Sequence, residues 1–215
     1  MAESPNSPDV SALIMQFSKW PEEGRVKTRL MPELGARGAM EAHIRLSLQV
    51  LDNLLASGFP VQLWWDRALE PVPEAAARIV SQLLAAGVMT GIQQGETLGQ
   101  RMEAALDEAL QSYDKAVVVG SDCPSVDPEY VRQAVAALDT SDVVLGPSND
   151  GGYVLIGARR TLPGMLNNVD WGTERVLHQT CHRLAGHGLS VTQLEPRWDV
   201  DEPADWQRFL HQANR

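Results

Sequence analysis

Short apolar runs and amphipathic stretches alternate along this chain almost from end to end. Residues 12–17 (Ala-Leu-Ile-Met-Gln-Phe) are apolar on both alternating faces, the pattern of a strand covered from two sides. A long polar loop follows, from Ser18 to about Leu34. Over 36–57, Met40, Ile44, Leu48, Leu51 and Leu55 recur every three or four positions, which predicts a helix with one buried face, stopped by Gly58. The pattern then predicts a strand at 61–65, a helix at 74–86 ending at Gly87, a weaker strand at 88–93 and a helix at 97–113. The clearest buried strand is 116–120 (Ala-Val-Val-Val-Gly). Asp127-Pro128-Glu129 opens the next helix, with an acidic cap and a proline in the first turn. Strands at 142–145 and 152–157, a helix at 173–187, a strand at 189–194 and a helix from Glu202, opened by Pro203, complete the series.

This β-α-β-α order predicts an α/β fold, a mostly parallel sheet with helices on both faces in three layers. Crowded strands in the last third point to an antiparallel element there. Neither linker nor repeat interrupts the pattern, so one domain is expected over 11–215, behind a loose polar tail at 1–10. The composition, 44% apolar and 21% charged in 215 residues, is that of a globular domain. With 28 acidic and 18 basic side chains the formal charge is −10, which argues against a broad nucleic-acid or anionic-membrane surface. Two cysteines, Cys123 and Cys181, make no disulfide framework and read as free thiols. The N-terminus has no leader-like pattern, and no apolar run approaches the ~18 residues of a membrane helix. A soluble cytoplasmic protein is the expectation.

Against that acidic background the loops after strands stand out, since ligands of open parallel sheets bind beyond the strands' carboxyl ends. Ser18–Leu30 gathers Lys19, Arg25, Lys27 and Arg29 around Gly24, a set suited to a diphosphate or triphosphate. It is not a Walker A loop, because Val26 stands where that motif has glycine before its lysine, and no G-x-G-x-x-G follows the strand. After the strongest strand comes Gly120-Ser121-Asp122-Cys123-Pro124. Asp122 is placed to hold Mg²⁺ or Mn²⁺, or else to cap its own loop. Ser121 lacks the nucleophile-elbow context, and Cys123 reads as structural. Asp150-Gly151-Gly152 fits a hairpin turn as well as a loop that a ligand approaches closely. Asp199 and Asp201, two apart in an extended segment, face the same way and could share a cation. Arg101, one turn into a helix, could meet a phosphate or base, and Trp171 precedes another helix where it could face an acceptor or anchor packing. Glu174, His178 and His182 share a helix face that reads as exposed and polar.

Five motifs in order carry a family resemblance: Pro21-x-x-Gly24-Arg25-Val26-Lys27-Thr28-Arg29-Leu30, Leu98-Gly99-x-Arg101-Met102, Gly120-Ser121-Asp122-Cys123-Pro124, Gly146-Pro147-x-x-Asp150-Gly151-Gly152-Tyr153-x-Leu155-Ile156-Gly157 and Asp199-Val200-Asp201-x-Pro203. From about Leu13 to Trp206 the chain resembles the bacterial DUF2064 family. These are glycosyltransferase-like proteins related to the 2-phospholactate guanylyltransferases, some labelled arsenosugar-biosynthesis glycosyltransferases. The resemblance implies the GT-A fold of nucleotide-diphospho-sugar transferases. It implies nucleotide phosphates on the loop from Lys19 to Arg29, and Asp122 as metal-binding acid with Asp201 or Asp199 as its partner. Trp20, Glu22 and Glu23 depart from the small residues usual there, so they are expected to alter what enters that end. Glu96-Thr97 stands where Asp is commoner.

The resulting expectation is a metal-dependent transferase with Asp122, Asp150 and Lys27 in catalytic roles and Mg²⁺ or Mn²⁺ as cofactor. Its partners would be a nucleotide donor and a small-molecule acceptor. A nucleotide-sugar donor makes it a glycosyltransferase; an NTP donor with a phosphorylated or carboxylated acceptor makes it a nucleotidyltransferase. A nucleotide-binding protein without catalysis is the third reading.

Overall fold

A computed structural model describes residues 12–213; the N-terminal tail expected at 1–10 lies outside them. The strands are β1 (Ala12–Ser18), β2 (Val61–Trp65), β3 (Met89–Ile92), β4 (Lys115–Gly120), β5 (Val143–Pro147), β6 (Tyr153–Ala158) and β7 (Val191–Gln193). The helices are α1 (Met31–Leu55), α2 (Ala77–Ala86), α3 (Leu98–Ala109), α4 (Pro128–Ala137), α5 (Val176–Gly186) and α6 (Pro203–Ala213). One sheet carries all seven strands in the order β3-β2-β1-β4-β6-β5-β7. β1 pairs in parallel with β2 and β4, while β6 runs antiparallel to both β4 and β5. The antiparallel element expected in the last third is therefore β6. Only five residues join it to β5, too few for the crossover that a parallel pair needs.

Alternation within each strand sorts side chains onto two cores. Ala12 and Ile14 of β1 and Val117 and Val119 of β4 face α1, α2 and α4. Leu13, Met15 and Phe17 with Ala116 and Val118 face α3 and α5. Both faces are covered, which is why these strands read as unbroken apolar runs.

Several boundaries differ from the sequence reading, each for a local reason. α1 begins at Met31, with a first turn that breaks at Gly35 (φ 69°, ψ 170°) before the long amphipathic stretch. A 3-10 turn, Glu74–Ala76, precedes α2. α5 starts at Val176, because Thr173 turns its hydroxyl back onto the Asp170 carbonyl at 2.8 Å. α3 is closed at its start by a reciprocal cap between Thr97 and Gln100.

Two registers place the site. Phe17 of β1 lies opposite Gly120 of β4, so the two loops that follow leave the sheet side by side. They are stitched together where they leave: the Ser121 amide and hydroxyl both donate to the Phe17 carbonyl, at 3.0 and 2.8 Å. The connection from β1 leads to β2 on one side of it, and β4 lies on the other. That reversal opens a crevice at the carboxyl ends, where such sheets take their ligands.

A third apolar cluster holds the segment before α6. Trp198 and Val200 are buried with Leu30, Ala39, Leu46, Trp206 and Phe209. The intervening Asp199 and Asp201 point the other way. The Val200 amide donates to the Asp122 carbonyl at 2.9 Å, which fixes this segment beside the end of β4.

Candidate active site

A cleft of about 780 Å³ opens over the carboxyl ends of β1 and β4. Lys19, Arg25, Lys27 and Arg29 line it from the first loop, Arg101 from α3, and Asp122, Asp199 and Asp201 from the two acidic segments. Ser148, Asp150, Gly152, Tyr153 and Trp171 line the opposite wall. The chain thus brings together residues up to 182 positions apart, from Lys19 to Asp201.

Lys27 is the centre of this arrangement. Its Nζ donates to Asp122 Oδ2 at 2.9 Å and to Asp201 Oδ1 at 3.0 Å, and its side chain is only 7% exposed. Burial alone would lower the lysine pKa, but the two carboxylates outweigh it and raise it, so the ammonium stays charged. Burial would likewise push the Asp122 carboxyl up, yet Lys27 holds it down to about 2. Among the described residues Asp199 has no such partner. Burial first, then the negative charges of Asp122, Asp201 and Asp150, push its carboxyl up to about 7. Lys27 is also one of two non-glycine residues with positive φ among the described residues (φ 46°, ψ 45°). A left-handed lysine costs backbone energy of roughly 1 kcal/mol or more, and here that conformation delivers the ammonium into the acidic cluster.

The other expected residues take distinct places. Arg29 turns to Asp201 and Glu202, at 3.4 and 3.5 Å, and Arg25 lies near Glu22. Arg101 donates to the Gly95 carbonyl at 3.0 Å and the Asp66 carbonyl at 3.4 Å, tying the loops after β2 and β3 together at the cleft edge. Asp150 combines both of its expected roles. Its Oδ1 accepts from the Gly152 amide at 3.1 Å and from the Ser148 hydroxyl, while the side chain borders the cleft. Trp171 meets Tyr153 edge to face with centroids 6.1 Å apart, and its indole lies where a Cβ on Gly99 would sit, so it anchors α3 as well as lining the wall.

Three expectations are corrected. Gly24 does not line the cleft; with φ 77° it makes the turn that lets the cations around it do so. Gly151 does not line it either. A Cβ there would lie 2.2 Å from the Glu174 carbonyl oxygen, so the glycine admits a backbone contact. Trp20 does not line the cleft. It is buried, stacked on Trp65 at 3.8 Å and 8°, with its indole N–H on the Arg67 carbonyl at 2.8 Å. Glu22 pairs with Arg67 beside it. Glu174, His178 and His182 are exposed, with Glu174 ahead of α5.

Sequence reasoning missed His43. It is buried in α1 and its Nε2–H donates to the Lys19 carbonyl at 2.9 Å, holding the first loop from beneath. Burial is the main cause of its lowered pKa, which keeps the ring neutral. The signal was the second buried stripe of α1, Ala39-His43-Leu46-Val50, in which one polar residue sits among apolar ones. Gln16, inside β1, was missed as well. Its Nε2 donates to the Ser47 carbonyl at 2.9 Å and to Ser121 Oγ at 3.1 Å.

The donor set fits a hard divalent cation. Asp122 and Asp201 already converge on one positive charge, the Lys27 ammonium, and Asp199 lines the same cleft as a third carboxyl. Among the described residues no three His, Cys, Asp or Glu side chains form a closed metal cage. Mg²⁺ needs none, since it is commonly held by one or two carboxylates together with substrate phosphates.

With the geometry established, comparison with known proteins places the chain. The family profile described as "Uncharacterized protein conserved in bacteria (DUF2064)" matches residues 53–173. A Desulfovibrio desulfuricans G20 protein, provisionally named a nucleotide-diphospho-sugar transferase, is 30% identical, and its crystal structure superposes with a TM-score of 0.83 over 95% of this chain and 88% of that one. A nucleotidyl transferase from Methanothermobacter (14% identity, TM-score 0.62, 94% and 97% coverage) shares the fold. So does the inositol-1-phosphate CTP transferase of T. maritima (12%, 0.57, 95% and 94%). No curated protein matches the sequence. In the described residues no helix is long and apolar enough to cross a membrane. The loops that the fold sets side by side are the motifs by which the sequence resembled its relatives, and the chain belongs to the bacterial DUF2064 family, with the fold of the nucleotide-diphospho-sugar transferases.

Proposed function

We propose that this protein is a metal-dependent transferase that binds a nucleotide donor in the cleft and moves the glycosyl group of a nucleotide-diphospho-sugar to a small-molecule hydroxyl. The observation that carries the reading is the meeting of the basic loop with Asp122 and Asp201 around Lys27 at the switch point of the sheet. The 30% identical relative, provisionally named a nucleotide-diphospho-sugar transferase, supports it.

Each group has a task in this reading. Lys19 and Arg25, free of tight carboxylate partners, take the donor phosphates. Asp122 and Asp201, with Asp199, would hold Mg²⁺ or Mn²⁺, which when bound neutralises charge on the departing diphosphate. Lys27 adds positive charge at the same place. His43 fixes the Lys19 backbone so that the phosphate loop keeps its shape. Asp150 borders the other wall with Oδ1 engaged in its own turn, which leaves Oδ2 to accept the acceptor's hydroxyl proton. Unpaired Cys123 and Cys181 suit a reducing compartment such as the cytoplasm.

A second reading, nucleotidyl transfer from an NTP, is favoured by the density of cations. Five line the cleft, more than a diphosphate needs. ³¹P NMR with Mn²⁺-free Mg²⁺ buffer, a panel of NDP-sugars and NTPs, and a bacterial small-molecule extract separates the two. Nucleoside diphosphate formed from a sugar nucleotide supports glycosyl transfer. Pyrophosphate formed from an NTP establishes the second reading in its place. Nucleotide binding without either product speaks for a binding protein.

A further inference from the structure

The acidic cluster already contains a cation. Lys27 Nζ lies 2.9 Å from one Asp122 oxygen and 3.0 Å from one Asp201 oxygen, in the position from which a divalent ion would bridge the two carboxylates. The lysine is carried there by a left-handed backbone conformation and is almost wholly buried, so this contact is built in rather than a surface encounter. By contrast, the other cation near Asp201, Arg29, is 62% exposed and stands off at 3.4 Å. An ammonium and a divalent ion sharing the same two carboxylate oxygens would sit roughly 3–4 Å apart, where like charges repel. The two compete for those oxygens.

We propose that Lys27 is a resident counter-cation that keeps the divalent ion out of the empty cleft, so that metal enters only with the nucleotide, whose phosphates draw the ammonium away from Asp122 and Asp201. The proposal rests on the reading of the cleft as a metal and nucleotide site. It adds an order of binding: phosphate first or together with metal, never metal alone. Lys27 can make the exchange because it also lines the cleft that the phosphates would fill, beside Lys19 and Arg25. It has a functional consequence: free metal does not occupy the carboxylates unproductively.

The test is binding, not turnover. Mn²⁺ is titrated into the full-length protein and followed by water-proton relaxation, with and without inorganic pyrophosphate, a probe independent of the base. Wild-type protein is expected to bind Mn²⁺ only weakly alone and at least tenfold more tightly when pyrophosphate is present. Lys27→Met is expected to bind Mn²⁺ alone at least tenfold more tightly than wild type, and Lys27→Met/Asp201→Asn to lose that gain. Tight binding of Mn²⁺ alone to wild type, abolished by Asp122→Asn, overturns the exclusion while leaving the metal site standing. A Lys27→Met protein that folds and binds Mn²⁺ no better than wild type overturns it too. If neither protein binds Mn²⁺ under any condition, the metal reading falls and the proposal with it. Should Lys27→Met fail to fold, the wild-type titration with and without pyrophosphate decides alone: equal affinity in both sinks the proposal.

Discussion

Two loops border the cleft, and they are built in opposite ways. The loop after β1 makes its shape from contacts distant in sequence. Trp20 stacks on Trp65, Lys27 reaches Asp122 and Asp201, and His43 holds the Lys19 carbonyl. The loop between β5 and β6 makes its shape from itself. Asp150 accepts from Ser148 and Gly152, and the Ser148 amide closes the turn on the Gly152 carbonyl at 3.0 Å. The first loop therefore depends on partners from four other parts of the chain, whereas the second closes on its own residues.

Substitutions can break this contrast, beginning with the largest expected effect. Asp122→Asn should reduce turnover about a thousandfold, some 4 kcal/mol of transition-state stabilisation, while far-UV circular dichroism stays that of the folded protein. An active, metal-dependent Asn variant in the ³¹P assay would remove Asp122 from the chemistry. Trp20→Ala should cost about 3–5 kcal/mol of stability by emptying the stack on Trp65, read by urea denaturation, and should raise the donor KM because the loop loses its anchor. A variant with wild-type donor KM would show that the distant tether does not shape the site. Asp150→Ala should cost only about 1–2 kcal/mol, from the loss of its turn hydrogen bonds, with donor binding unchanged by isothermal titration calorimetry. A large loss of donor affinity would contradict the self-contained character of that loop.

The smallest effect is expected at Asp142, which separates distant tethering from chemistry. Its carboxylate accepts from the Ser190 amide and hydroxyl, both at 2.9 Å, and pairs with Arg159 and Arg160 far from the cleft. Those hydrogen bonds, the Ser190 amide first, lower its pKa below the ordinary 3.8. A lowered carboxyl pKa stabilises the fold above the ordinary value and loses that contribution as pH falls through the folded one. Asp142→Ala should therefore lower Tm by a few degrees at pH 7, approach wild type as the pH falls below the ordinary carboxylate range, and leave turnover unchanged. A change in turnover would mean that the β5–β7 edge communicates with the site.

The same contrast explains what could be read from residues alone. Elements whose signal is local were legible: the apolar run of β4, the stripe of α1, the capped start of α4 and the Asp-Gly-Gly turn all lie where their patterns put them. The rule about strand ends singled out the loops after β1 and β4, but their side-by-side exit became visible only in the strand order. What stayed hidden depended on partners scores of residues away. Nothing near Trp20 says that Trp65 will stack on it, so its bulk looked like an obstacle rather than an anchor. Lys27 was expected in a catalytic role among the four loop cations; only the meeting of residues 27, 122 and 201 makes it the middle of an ion triad. Gly24 and Gly151 were legible as special but not in what way, because one answers to its own dihedral and the other to the Glu174 backbone.

The Trp20–Trp65 stack has an optical consequence. Two indoles at 3.8 Å and nearly parallel couple their electronic transitions, which should give an exciton couplet in circular dichroism. One ring belongs to the loop after β1 and the other to β2 of the sheet. Any movement of the loop on nucleotide binding would change the amplitude of that couplet, so the protein carries an intrinsic, label-free gauge of donor engagement, readable before any product is known.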